Sequence, residues 1–145
     1  MQFNLSDAVS LLLAVVLGGF IGAEREYRGK AAGLRTNILI CLGSCVFTII
    51  STSLNSSEPA RIAAQVVTGI GFIGAGAIIH SGIGIHGLTT AAGIWIVASI
   101  GMACGSRMYL LAAASTILSL VVLLVLPWLE RQISKNPPTE QNHLN

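Results

Sequence analysis

Charged side chains divide this chain into four long uncharged stretches: 16 residues at 8–23, 22 at 36–57, 45 at 62–106 and 22 at 108–129. A helix needs about 20 predominantly apolar residues to cross the hydrocarbon core of a bilayer. The stretches therefore hold one, one, two and one spans, five in all. Soluble domains carry about 25% charged residues, whereas only 10% of these 145 residues are charged and 53% are hydrophobic. That balance excludes a soluble enzyme, a coiled coil and a disordered chain. It also leaves no soluble surface on which a basic stripe could bind nucleic acid. A β-barrel would show segments of ~10 residues alternating in polarity, which these runs do not. The expected architecture is all-α, a polytopic transmembrane helical bundle.

The expected spans are 6–23, 36–54, 61–79, 89–104 and 108–129. The first uncharged run covers only about 24 Å at 1.5 Å per residue, which puts Asp7 at a membrane surface. Pro59 is placed to open the third helix near its first turn. Three glycines within 81–87 mark the break inside the longest run, and Thr89 or Thr90 is the expected N-cap of the fourth span. Residues 1–130 read as the membrane domain and 131–145 as a flexible cytoplasmic tail containing Pro137 and Pro138. No basic residue precedes the first apolar run, and Asp7 stands where a signal peptide would carry its positive charge, so cleavage is not expected.

Orientation follows from Lys and Arg placement. Arg25, Arg28, Lys30 and Arg35 in the first loop, with Arg131 and Lys135 in the tail, put six bases on one side; Arg61 and Arg107 put two on the other. The N-terminus is therefore expected outside and the C-terminus in the cytoplasm, with Trp128 as an interfacial anchor.

Several motifs have both a structural and a functional reading. Gly69-Ile70-Gly71-Phe72-Ile73-Gly74 matches G-x-G-x-x-G, but no strand precedes it and no acidic residue follows at the required distance, so it is not a dinucleotide site. Gly69, Gly71, Gly74 and Gly76 instead suggest close helix packing, or a broken helix whose freed carbonyls line a polar site. Gly18 with Gly22 and Gly101 with Gly105 repeat the small-residue spacing. They offer contact faces for a homo-oligomer or within one bundle.

Glu24 with Arg28 and Glu26 with Lys30 are i,i+4 pairs on an extension of the first helix. Glu24 lies where a carboxylate is costly unless paired. Arg35 heads the second span and is expected to fold back to reach it. Asn37, Gln65, Thr68, Thr89 and Thr90 are polar residues in or near spans, suited to interhelical hydrogen bonds; Gln65 shares a helix face with Gly69. His80 and His86 lack a third ligand and make no convincing metal site. Cys41 and Cys45 share a helix face at a spacing unsuited to a disulfide, and with Cys104 they read as small packing residues.

Taken together, Gly22-Ala23-Glu24-Arg25-Glu26, Lys30-Ala31-Ala32-Gly33-Leu34-Arg35-Thr36, the run Arg61 through Gly76 and Gly87-Leu88-Thr89-Thr90-Ala91-Ala92-Gly93-Ile94-Trp95 closely resemble the MgtC/SapB family of bacterial inner-membrane proteins. The resemblance covers roughly residues 10–110. It implies a multi-pass protein of about five helices, linked to growth in low magnesium and to survival inside macrophages. It also implies a membrane-protein partner, the proton-translocating ATP synthase, which one branch of the family inhibits. Longer members carry a soluble domain after the last helix; this chain resembles the short, SapB-like form.

The residues of functional interest are thus Glu24, Arg28, Arg35, Thr36, Gln65, Gly69, Gly71, Gly74, Gly76, Thr89 and Thr90. No catalytic constellation is visible, so an enzyme is not expected, and no cofactor is expected. Two functions remain: a regulator acting on another membrane protein, and a transporter or channel for Mg²⁺ or another small ion. Mg²⁺ requires hard oxygen ligands, and residues 62–106 hold no carboxylate, which favours the regulator.

Overall fold

The fold is built from five helices, each long and apolar enough to span a membrane: α1 (Leu5–Tyr27), α2 (Leu34–Ser53), α3 (Ala60–Ile79), α4 (Leu88–Gly105) and α5 (Tyr109–Ser134). The computed structural model describes residues 4–54, 60–79 and 86–134, with no strand among them. The expected spans are present, with α1 and α5 longer at their C-terminal ends than the uncharged runs suggest. The turn expected around Pro59, residue His80 and the glycines at 82 and 84 lie outside the described residues, as do residues 135–145.

The ends of the helices follow local chemistry. Asp7 reaches back to accept the Asn4 N–H at 3.1 Å, satisfying a donor at the opening of α1. At the other end, Gly29 adopts φ 62, the left-handed conformation that glycine takes without a Cβ penalty. The N–H of Lys30 then bonds the Arg25 carbonyl at 3.0 Å and that of Gly29 bonds Glu26 at 2.9 Å, a Schellman closure. This carries α1 through Glu24-Arg25-Glu26-Tyr27 before the chain turns. The same closure ends α4, where the residue at positive φ is Arg107 (φ 61). Gly87, at φ 84, is the N-cap of α4. Thr89 and Thr90 therefore lie inside the helix rather than capping it, because the left-handed glycine starts the helix earlier.

Two glycine pairs set the packing. A Cβ on Gly18 would lie 2.7 Å from Cys41 Cβ, and one on Gly22 would lie 2.8 Å from the Leu34 Cα. From α4, a Cβ on Gly101 would overlap the Cys41 carbonyl oxygen, and one on Gly105 would sit 2.6 Å from that of Cys45. Helix α2 is thus held at near-backbone contact with both α1 and α4, the geometry that small residues permit where no hydrophobic force drives helices together. Cys41, Cys45 and Cys104 are free and buried in this core with Ala14, Ile21, Val97 and Ile100. Their compact side chains fill the narrow space that the glycines leave.

Helices α3 and α5 are peripheral. Only 11% of the α3 span is buried within the bundle, against 44% for α4. This corrects the expectation that the glycines of α3 form a crowded interface. Positions 69, 71 and 76 have nothing within 4 Å of an added Cβ, and Gly74 approaches Ala91 Cβ only at 3.7 Å. The close-packed glycines are those of α1 and α4.

Candidate functional site

The extension of α1 carries a helical stripe beyond the apolar run. Asp7, Ser10, Ala14, Gly18, Ile21 and Arg25 recur at intervals of three and four residues, and all are buried. Small residues in the middle of this stripe bring α2 and α4 close, and a charge sits at each end. Arg25 faces the bundle for this reason, not solvent: it is 5% exposed. Its Nη2 donates to Thr90 Oγ1 on α4 at 3.4 Å.

Glu24 lies beside it, with a side chain 7% exposed. Arg28 Nε stands 2.6 Å from Glu24 Oε1 across one helical turn, and Arg25 Nη1 lies 3.7 Å from Oε2. Both carboxylate oxygens are fully shielded, and among the described residues no donor meets either in ideal hydrogen-bond geometry. The carboxylate is held between one buried and one partly exposed guanidinium. The cluster Glu24, Arg25, Arg28 and Thr90 joins α1 to α4 and carries a net positive charge.

The loop that follows is tied down without Arg35. Glu26 Oε2 accepts the Leu34 N–H at 3.0 Å, and its carboxylate occupies the space that a Cβ on Gly33 would need. Asn37, 1% exposed, donates Nδ2 to the carbonyls of Ala32 at 2.7 Å and Gly33 at 2.8 Å. These bonds fix the start of α2 so that Arg35 and Thr36 point outward and are exposed.

The expected pair of Glu24 with Arg35 is therefore replaced by Glu24 with Arg28 and Arg25. The physical reason is the extra turn of α1, which puts cations within reach on the same helix. Glu26 caps α2 instead of facing Lys30, which lies past the helix end.

Of the residues singled out from sequence, the structure brings together Glu24, Arg28 and Thr90. Thr89 is exposed, as are Gln65, Gly69 and Gly71 on α3. Gly74 is buried against Ala91 and Gly76 is partly buried. His86 is exposed. Arg25 was not anticipated, although continuing the small-residue stripe by one turn points to it.

A second polar cluster at the opposite end of the bundle was also missed. Arg107 Nη2 donates to Asp7 Oδ1 at 3.0 Å. Tyr109 Oη lies 3.0 Å from Ser10 Oγ and donates to the Ser6 carbonyl at 3.3 Å. These contacts pin the start of α1 to the turn between α4 and α5. Partners about 100 residues apart leave no local signal in sequence.

Among the described residues no group of three or more His, Cys, Asp or Glu is placed to hold a metal ion. Buried carboxylates occur at the two ends, Asp7 and Glu24, separated by the apolar core.

Comparison with known proteins agrees with this architecture. The model of the MgtC family matches residues 11–132. The chain is 44% identical over 129 residues to protein MgtC of Salmonella typhimurium (strain LT2), covering 89% of this chain and 56% of that protein. It is 49% identical over 138 residues to YhiD of Escherichia coli (strain K12), named as a candidate magnesium transporter, covering 88% of this chain and 64% of that protein. Protein MgtC of Brucella abortus is 44% identical over 116 residues, 79% of this chain and 49% of that protein. The chain thus spans about half to two thirds of the length of these relatives. No solved structure matches it.

Proposed function

The chain belongs to the MgtC family, and from that premise we propose that this multi-pass membrane protein sits in the bacterial inner membrane and regulates another membrane protein, with a link to magnesium homeostasis or stress adaptation. The observation that carries this reading is the buried Arg25 beside Glu24. A route for Mg²⁺ requires several hard oxygen ligands. Here the one carboxylate buried at this end among the described residues is flanked by two guanidiniums whose summed charge opposes a cation. Buried charges of this kind mark functional positions in membrane proteins. A guanidinium pair around a single carboxylate suits a protein partner that presents its own carboxylate or polar groups. Arg28, half-exposed, is the member such a partner reaches first. The family resemblance makes the proton-translocating ATP synthase the first partner to test.

The competing reading is transport, which the name of the relative YhiD favours and which Glu24, a shielded carboxylate, would serve. Purified full-length protein in liposomes loaded with a Mg²⁺ indicator separates the two. The expected result is flux equal to that of empty vesicles. Flux well above that background, lost in Glu24→Gln, would overturn the regulatory reading. In cells, Arg28→Ala is expected to release a co-purifying membrane complex while leaving the protein at normal levels in the membrane.

A further inference from the structure

Between helices α2 and α3 lies an open apolar groove of about 560 Å³, lined by Leu39, Gly43 and Ser44 on one wall and Gln65, Gly69 and Ile73 on the other. We propose that this groove and the α3 face beside it receive α3 of a second copy of this chain, with the two Gln65 amides paired across a two-fold axis along the membrane normal. The inference does not depend on the regulatory reading above.

Two polar groups in the groove require an occupant. Gln65 stands about 8 Å inside the span at 1.5 Å per residue from Ala60. It is exposed, and among the described residues nothing bonds its amide. Ser44 is 3% exposed and lines the same groove. Its carbonyl takes the bond from Thr48, while its hydroxyl has no partner among the described residues. Unpaired amides and hydroxyls facing hydrocarbon are costly, and interhelical hydrogen bonds are how spans satisfy them.

The occupant has the shape of a helix. The lining extends from Leu39 to Phe47 on α2 and from Ile62 to Ile73 on α3, roughly 12–16 Å or about three helical turns. Gly43 and Gly69 leave open space on both walls, into which the ridge of an incoming helix can settle.

The occupant is a second copy because an amide carries both donor and acceptor and so complements itself. Two chains inserted the same way hold residue 65 at the same depth, and a two-fold axis then makes the contact isologous. A different protein would need its own polar residue at that depth. Along α3, Gln65, Gly69, Phe72 and Gly76 form one i,i+4,i+7,i+11 stripe. Phe72, 85% exposed, is the knob that each copy offers to the other's groove.

The test uses the full chain in native membranes. A cysteine replaces Thr68, exposed one turn from Gln65, so the amide stays intact, and an oxidant is added. The native cysteines are buried, and the unmodified chain gives the background. Thr68→Cys is expected to yield a disulfide-linked dimer well above that background and above Leu118→Cys on the lipid face of α5. Adding Gln65→Leu should lower the dimer yield about three- to tenfold, the scale of one interhelical polar contact. Gly69→Leu should also lower it while leaving membrane levels unchanged, since nothing stands within 4 Å of the added Cβ. A product of another mass without a dimer would assign the groove to a different partner and overturn the proposal. A monomer with Thr68→Cys, or dimer yield unaffected by Gln65→Leu, would overturn it equally.

Discussion

Arg25 and Arg35 are both arginines at the edge of a span, yet the structure gives them opposite fates. Removing Arg25 leaves Glu24 buried with one counter-charge fewer. Breaking a buried pair from one side is expected to cost about 3 kcal/mol. Arg35 is exposed and away from both carboxylates, so Arg35→Ala should change stability by less than about 0.5 kcal/mol. Thermal denaturation of the two purified variants checks this, and equal melting temperatures would contradict it. Arg107 offers a different residue-scale test. Its φ of 61 costs a non-glycine residue roughly 1–2 kcal/mol, while its side chain pairs with Asp7. Arg107→Gly loses the pair but relieves the backbone; Arg107→Ala loses the pair and keeps the strain. The glycine variant should therefore melt higher than the alanine variant.

The helices differ in how much change each tolerates. Gly101 lies against the backbone carbonyl of Cys41, where no side-chain rotation can make room. Gly101→Ala is expected to separate α2 from α4 and cost at least the 1–3 kcal/mol typical of overpacking, visible as reduced accumulation in membranes. Gly71 is open, and Gly71→Leu should leave the monomer fold intact. The two positions look alike in sequence, as both are glycines within a glycine-rich span. What distinguishes them is the neighbour across the gap, which one sequence does not name. The helices themselves were legible because length and hydropathy suffice to mark a span. Their ends were less so: α1 continues past its apolar run because the Schellman closure at Gly29, not the first charge, ends it.

At the scale of the molecule, short connections make the five helices alternate in direction. Arg25, Arg28, Lys30, Arg35 and Arg131 therefore gather at one end, opposite Arg61 and Arg107. The excess of bases should hold the first end in the cytoplasm. Reporter fusions after Glu58 should read periplasmic and fusions after Glu140 cytoplasmic; a cytoplasmic signal after Glu58 would reverse the map. On that map the two polar clusters would occupy opposite membrane faces, the Glu24 cluster toward the cytoplasm.

The number of spans, the all-helical class, the family resemblance and the Glu24/Arg28 pair were determined by sequence alone. Each depends on residues close together in the chain or on bulk apolarity, which the bilayer reads directly. Tertiary structure decided which glycines carry the packing, that Arg25 rather than Arg35 shares the buried site, and that Asp7 meets Arg107. Those outcomes depend on which faces of distant helices meet. In a bilayer that choice rests on shape and pairing between helices, because apolar surface is equally well accommodated by lipid and by protein.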